Sequence, residues 1–136
     1  MDTETIKSIK EDFEFLKQDK RVLSLLLFGS KANKKDHSKS DADICIVAPD
    51  QDQENREQIL SKISRNLDTK NKNYDIHFFK ELPLYIKIKV MNNHRIIFTQ
   101  DKLEMHEHFY QYRKLWKDQK KRNTMTKEQL KKPISK

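Results

Sequence analysis

The sequence predicts an α/β (α+β) domain in which a small mixed β-sheet is flanked by helices. Short apolar runs, typical of buried strands, alternate with segments in which apolar residues recur every 3.6 positions, as on one face of a helix. The resulting order is helix, strand, strand, helix, strand, helix, strand, helix, which favours helices packed on a sheet. At 136 residues, the chain is long enough for one hydrophobic core.

The first half of the chain is predicted to contain two helices and two strands. Residues 3–19 have a helical apolar face made of Ile6, Ile9, Phe13 and Leu16. Residues 22–28 are an apolar run interrupted only by Ser24, which is typical of a strand buried on both faces. A second strand follows over residues 43–48. Residues 53–68 form the second predicted helix, with a buried face of Ile59, Leu60, Ile63 and Leu67.

In the second half, the segment 82–91 is ambiguous from its residues alone. Its alternation of apolar residues with lysines favours a strand, whereas Pro83 suits the first turn of a short helix. The neighbouring segments are clearer. A turn is expected over 71–73, and strands are expected over 74–79 and 95–99.

The last part of the chain is predicted to be helical. Residues 101–120 carry an apolar stripe that we expect to lie in the core or in a partner's groove: Met105, Phe109, Tyr112 and Trp116. Residues 126–129 resemble a capping box and predict that a separate short helix begins there. We therefore divide the chain into a domain over 1–100 and a C-terminal helix with a basic tail over 101–136.

The net charge of +8 is concentrated at the C-terminal end. Residues 117–136 carry eight basic and two acidic side chains, a net of +6, which leaves +2 for residues 1–116. A nearly neutral body with a basic tail differs from a uniformly basic nucleic-acid-binding protein. The tail is expected to contact RNA or an acidic protein, or to remain solvated with no partner.

Composition also restricts the class of protein. The chain has no apolar run of 18 residues, so we expect no membrane-spanning segment, and its acidic, polar start does not resemble a secretory leader. A single cysteine, Cys45, excludes an internal disulfide and a zinc site built on several cysteines, and we expect it to be a small buried apolar side chain. This cysteine usage fits a cytoplasmic protein.

Three aspartates are candidates for a metal site. Asp41 and Asp43 lie two positions apart at the start of the second strand, so both side chains point to one face. Asp75 lies in the third strand and comes beside them if the two strands are neighbours. Because adjacent carboxylates repel each other and hard oxygen ligands suit Mg²⁺ or Mn²⁺, these residues predict a site for one of these ions that serves phosphoryl or nucleotidyl transfer. His77 shares the face of Asp75, but we expect it to be packed or solvent-exposed.

The only glycine of the chain ends the first apolar run. Gly29 allows the backbone to turn sharply and to approach a ligand closely. Ser30 offers a hydroxyl and can cap a following helix, and Lys31 adds positive charge. We therefore expect Gly29, Ser30 and Lys31 to bind the phosphates of a nucleotide, facing the carboxylates.

The combination of these motifs resembles the signature of the DNA polymerase beta nucleotidyltransferase superfamily. An apolar strand ends in Gly-Ser, an Asp-x-Asp pair opens the next strand, and an aspartate lies on a third. Over about residues 1–100 the short chain resembles the minimal nucleotidyltransferase (MNT) branch. Two departures are Lys31, in place of a frequent arginine, and the pair Asn92-Asn93, which lacks a frequent glycine.

The resemblance implies a polymerase-beta-like fold, with residues 82–91 helical, and a set of residue roles. Gly29 and Ser30 correspond to the phosphate-binding residues, Asp41 and Asp43 to the paired metal ligands, and Asp75 to the third carboxylate on the acceptor side.

The resemblance also implies Mg²⁺-dependent transfer of AMP from ATP to a tyrosine of a HEPN ribonuclease toxin, for which the protein acts as antitoxin. Two alternatives stay open. One is an antitoxin that neutralises its partner by contact alone, through the helix at 101–120. The other is an RNA-directed nucleotidyltransferase that uses its basic tail.

Overall fold

The computed structural model describes residues 3–29, 42–67 and 74–130. Within these ranges it contains four α-helices, two 3₁₀ segments and one four-stranded sheet. The helices are α1 (Thr3–Asp12), α2 (Gln53–Asn66), α3 (Leu84–Asn92) and α4 (Lys102–Leu130), and the 3₁₀ segments are Glu14–Gln18 and Phe79–Glu81. The strands are β1 (Ser24–Phe28), β2 (Ala42–Val47), β3 (Tyr74–Phe78) and β4 (Arg95–Thr99). The predicted element order is confirmed.

The sheet is mixed, with the strand order β3-β2-β1-β4. β1 pairs antiparallel with both β2 and β4, whereas β2 and β3 are parallel. β1 is central and buried except near its end, as its apolar run predicts. The polar Ser24 within that run is also buried, because its hydroxyl shares a hydrogen bond of 2.7 Å with the hydroxyl of Thr99 on β4.

Each face of the sheet has its own apolar cluster, because side chains alternate along every strand. On one face, β1 and β2 contribute Leu25, Leu27, Ile44 and Ile46, which pack with α1 and α2. On the other face, Leu26, Cys45 and Val47 pack with α3 and α4. Asp43 precedes Cys45 by two positions, so it belongs to this second face at the end of β2 where the apolar cluster stops.

Two predictions about the helices on the first face need correction. The helix predicted over 3–19 ends at Asp12 and continues as a 3₁₀ segment, whose tighter turn keeps Phe13 and Leu16 fully buried. In α2, Ile59 and Ile63 are buried as predicted, but Leu60 is exposed. The turn predicted over 71–73 lies outside the described residues.

The ambiguous segment 82–91 is a helix, as the family resemblance implies and contrary to its local alternation. Pro83 lies just before the helix as its N-terminal cap residue, and its carbonyl accepts hydrogen bonds from the amides of Ile86 and Lys87. Lys87 is buried rather than solvent-exposed: its ammonium donates to the carbonyls of Lys80 and Leu82 at 3.0 and 2.6 Å. The lysines of this segment therefore do not mark one solvent-exposed face.

α4 is a single helix of 29 residues, about 43 Å long. Its first turns complete the second apolar cluster through Met105 and Phe109, and Tyr112 and Trp116 are half-buried. The separate helix predicted to begin at residue 126 is wrong, since α4 continues through Leu130. Among the described residues, no helix combines the length and the apolar character needed to cross a membrane.

Candidate active site

Asp43 and Asp75 lie side by side at one edge of the sheet. The parallel pairing of β2 with β3 places Asp43 directly opposite Asp75, and Ala42 opposite Tyr74. Residues directly opposite each other on neighbouring strands point to the same face. The carboxylates of Asp43 and Asp75 are 30% and 53% exposed, so solvent or a ligand can reach both. The structure therefore brings together two of the three predicted carboxylates.

Gly29 follows β1 at the position where the chain passes Asp43. Its φ is +84°, in the left-handed region that favours glycine. A Cβ at this position would overlap Oδ2 of Asp43 and would lie 3.2 Å from its Cγ. Glycine is therefore required for two reasons: the backbone conformation, and the close approach of the Asp43 carboxylate to the backbone.

His77 joins the two carboxylates. Its Nε2 lies 3.1 Å from Oδ2 of Asp75 and 3.7 Å from Oδ1 of Asp43. One ligand atom from each of the three residues lies within 4.8 Å of the other two. The imidazole also packs against Phe28, with ring centroids 5.6 Å apart in an edge-to-face arrangement. Three polar side chains thus converge on one point beside Gly29.

An open groove runs from this point along α3. Its volume is about 390 Å³, and its lining includes Phe28, Gly29, Ile86, Lys89 and Asn92. A larger groove of about 550 Å³ lies near Asp50 and His108, beyond the opposite end of β2. The smaller groove is lined by Gly29, which the Asp43 carboxylate approaches closely, and by Phe28, which packs against His77. We therefore take that groove as the candidate ligand site; its volume is in the range of small-molecule pockets.

A family model described as polymerase beta nucleotidyltransferase matches residues 9–103, more than half of the chain. The chain belongs to the polymerase beta nucleotidyltransferase family. A Methanocaldococcus jannaschii protein with the provisional name of protein adenylyltransferase is 45% identical over 102 residues. The matched region covers 75% of this chain and 75% of that protein.

Two solved structures are similar in fold to this nucleotidyltransferase, each at 13% identity. A chain from a crystal structure described as a toxin-antitoxin with AMP-PNP has a TM-score of 0.65, over 93% of this chain and 98% of that chain. A chain from a complex described as a tri-AMPylated Shewanella oneidensis HEPN toxin with MNT antitoxin has a TM-score of 0.60, over 97% and 100%. These matches agree with the polymerase-beta-like fold predicted from the motifs.

Three predicted site residues of the nucleotidyltransferase, Ser30, Lys31 and Asp41, lie outside the described residues. Their roles stay predictions. Gly29 comes directly before that segment and Asp43 comes two positions after Asp41, and the Asp43 carboxylate lies against Gly29 at the candidate site.

Cys45 follows Asp43 on the same face of β2, but it does not belong to the site. It is fully buried, and burial raises the pKa of its thiol, so the thiolate is disfavoured. The expectation that Cys45 acts as a small apolar side chain is confirmed.

The contact of His77 with both carboxylates was missed by sequence reasoning. The period of two along β3 predicted that His77 shares the face of Asp75, but a lone histidine is more often packed or solvent-exposed than functional. The available signal was the shared face combined with a parallel neighbouring strand. That pairing brings His77 opposite Cys45, which lies two residues after Asp43 on the same face of β2.

Proposed function

We propose that this nucleotidyltransferase transfers AMP from ATP to a hydroxyl of a partner protein, and that the acceptor is a tyrosine of a HEPN-type toxin. The observation that carries the proposal is the pairing of Asp43 with Asp75 beside Gly29. The name of the relative at 45% identity and the toxin–antitoxin complexes that share the fold support the choice of AMP and of a protein acceptor.

The donor set fits a magnesium ion. Carboxylate oxygens are the ligands that Mg²⁺ prefers, and the exposure of Asp43 and Asp75 leaves room for water and phosphate oxygens to complete an octahedron. Asp41 is proposed as the third carboxylate. A divalent ion bound here supplies neutralisation of the triphosphate charge and a lower pKa for the acceptor hydroxyl.

The side chains have separate tasks in the transfer. Gly29 gives the phosphates close access to the backbone, and Ser30 and Lys31 are proposed to hold the departing phosphates. The nucleoside is proposed to lie in the groove along α3, against Phe28 and Ile86. The acceptor oxygen then attacks the α-phosphorus in line, the bond to the β-phosphate breaks, and pyrophosphate leaves. The hydroxyl proton passes to water beside Asp75.

The acceptor is proposed to bring its own binding surface. Most of the chain is used to build the sheet and its two apolar clusters, which leaves α4 as the main element available for a partner. Exposed apolar side chains lie along α4: Leu103, Tyr110 and Leu115. A complex with the toxin is the expected assembly. Neutralisation by contact alone is the second candidate, because these same side chains could cover a toxin surface.

The deciding experiment incubates the full-length protein with labelled ATP, Mg²⁺ and the product of the neighbouring reading frame. We expect label on that product with the native protein and none with Asp43→Ala. Glu54→Ala is the matched control, since Glu54 is an exposed carboxylate on α2, which packs on the opposite face of the sheet. If Asp43→Ala still neutralises the partner without transferring label, the protein acts by contact and the enzymatic proposal is wrong.

A further inference from the structure

His77 occupies the position of a third ligand between two carboxylates. Its Nε2 is 3.1 Å from Oδ2 of Asp75. Two neighbouring ligands of an octahedral ion with bonds of about 2.1 Å are about 3 Å apart, so this spacing allows both atoms to bind one ion. The distance of 3.7 Å from Nε2 to Oδ1 of Asp43 is within the span of the same coordination sphere.

The imidazole is held in this orientation by the fold. His77 lies on β3 two positions after Asp75, and the parallel register fixes it opposite Cys45, whose side chain is fully buried. The ring of Phe28 packs edge-to-face against the imidazole from the neighbouring side. A ligand that is positioned before the ion arrives loses little conformational freedom when it binds.

Nitrogen and oxygen ligands favour different ions. Mg²⁺ prefers oxygen ligands, whereas imidazole nitrogen suits first-row transition ions, and Mn²⁺ accepts a mixture of carboxylates with imidazole. A site with two carboxylates and one imidazole is therefore expected to favour Mn²⁺ over Mg²⁺ more strongly than an all-carboxylate site would.

We propose that His77 is a nitrogen ligand of the ion held by Asp43 and Asp75, and that the site consequently prefers Mn²⁺ to Mg²⁺. The inference rests on the metal site of the proposed function, but it concerns the identity of the ion and is measured without ATP or acceptor. In transfer, Mg²⁺ still supports the reaction, and Mn²⁺ supports it at lower metal concentration.

The test uses Mn²⁺ alone with the full-length protein. Pulsed electron paramagnetic resonance detects the coupling between Mn²⁺ and a bound imidazole nitrogen, and ¹⁵N-histidine labelling identifies that nitrogen. We expect the coupling in the native protein and its loss in His77→Gln. Two matched controls are expected to retain the coupling: His106→Gln on α4, and His37→Gln in the sequence between Gly29 and Asp41.

Affinity provides the second measurement. Titration should show at least about a tenfold loss of Mn²⁺ affinity in His77→Gln and a change of less than about threefold for Mg²⁺. Thermal unfolding of each variant checks that the fold is intact.

The measurement on the native protein can contradict the inference by itself, so the test does not depend on whether every variant folds. Bound Mn²⁺ without histidine-nitrogen coupling, or a coupling that disappears in His37→Gln instead, shows that His77 is not a ligand. Neither result affects the transfer experiment with Asp43→Ala. Conversely, nitrogen coupling together with a failure to transfer AMP would support the metal site and reject the proposed reaction.

Discussion

The two ends of β1 both lie near carboxylates, but the chain treats those carboxylates differently. Before β1, Asp19 is buried and accepts two hydrogen bonds from the guanidinium of Arg21, at 2.9 and 2.8 Å, and Lys62 lies 3.4 Å away. After β1, Gly29 brings the backbone against Asp43, which is half-buried and stands opposite a second carboxylate, the exposed Asp75.

The difference shows how a structural carboxylate can be told from a functional one. The hydrogen bonds from Arg21, opposed by burial, lower the pKa of Asp19 to about 2, so the negative charge is matched within the fold. At the other end of β1, the parallel register places two negative groups side by side in reach of solvent. Two carboxylates this close repel each other, and a cation bound between them would relieve that repulsion.

The largest expected effect is the loss of transfer in Asp75→Asn. The substitution keeps the shape of the side chain but removes one of the two paired charges, so we expect transfer to fall by about 10³-fold with no loss of stability. The measurement is the rate of label transfer with saturating Mg²⁺. Asp19→Asn is the matched control at the other end of β1. Equal losses in both variants would contradict the proposed division of roles.

Gly29→Ala is expected to affect both transfer and stability. The added Cβ would push the Asp43 carboxylate aside, and the left-handed backbone would cost about 1–2 kcal/mol. A carboxylate displaced by about 1 Å is expected to reduce transfer by about 10²-fold. Transfer rates and urea unfolding check the two parts. Native-like transfer in a destabilised variant would show that the approach of Gly29 to Asp43 matters only for folding.

Asp19→Asn is expected to lower the free energy of unfolding by about 2 kcal/mol at pH 7. The pKa of Asp19 in the folded state, about 2, is below its ordinary value of 3.8. Its contribution is therefore fully present above about pH 4 and is lost as the pH falls towards 2. Urea unfolding of the native protein and the variant at several pH values should show the two curves converge across that window. A constant difference would exclude the Arg21 pairing as the cause.

A smaller effect is expected for Lys87→Met. The change removes the ammonium that donates to the carbonyls of Lys80 and Leu82. It also removes the cost of keeping a charged group buried, which is the cost that lowers the pKa of Lys87. We expect a net loss of about 1 kcal/mol in stability. Transfer should be unchanged, because Lys87 lies in the buried second cluster with Phe79 and Tyr112. A large loss of transfer would place Lys87 in the site.

The smallest effect is expected from replacing Lys117, Lys120 and Lys121 with glutamine. These side chains are exposed on α4, so unfolding should change by less than about 0.5 kcal/mol, and transfer to the protein acceptor should persist. If RNA is the acceptor instead, the logarithmic salt dependence of RNA binding should fall by about three in slope, because three phosphate contacts are removed. Salt-insensitive or absent RNA binding would exclude the RNA-directed alternative.

The order of elements could be predicted from the sequence because buried strands and helix faces produce recognisable local patterns of apolar residues. The apolar runs of β1 and β2 are interrupted only by Ser24 and Asp43, and the faces of α1, α2 and α4 repeat every 3.6 residues. Segment 82–91 shows where the local pattern fails. Its alternation resembles a strand, but Lys87 is buried at helical spacing from Val90 and Met91, so the periodicity of charge did not report exposure.

The candidate site was predictable in part. Asp43 and Gly29 were recognisable from their positions at strand ends, because both motifs act locally. The pairing of Asp43 with Asp75 depends on which strands are neighbours, and long-range packing decides that. The sequence therefore predicted the pairing only on the condition that these two strands lie side by side. The contact with His77 depends on the same choice and on the exact register, and sequence periodicity does not determine either.

The parallel register of β3 on β2 has a consequence for errors in folding. Tyr74, Ile76 and Phe78 pack into the apolar cluster beneath the sheet, while Asp75 and His77 point to the opposite face. A slip by one position would expose all three apolar side chains at the same time as it carried the polar pair away from Asp43. The burial of these apolar side chains therefore also favours the correct arrangement of the site, because a molecule that pairs its edge strand in the wrong register loses stability.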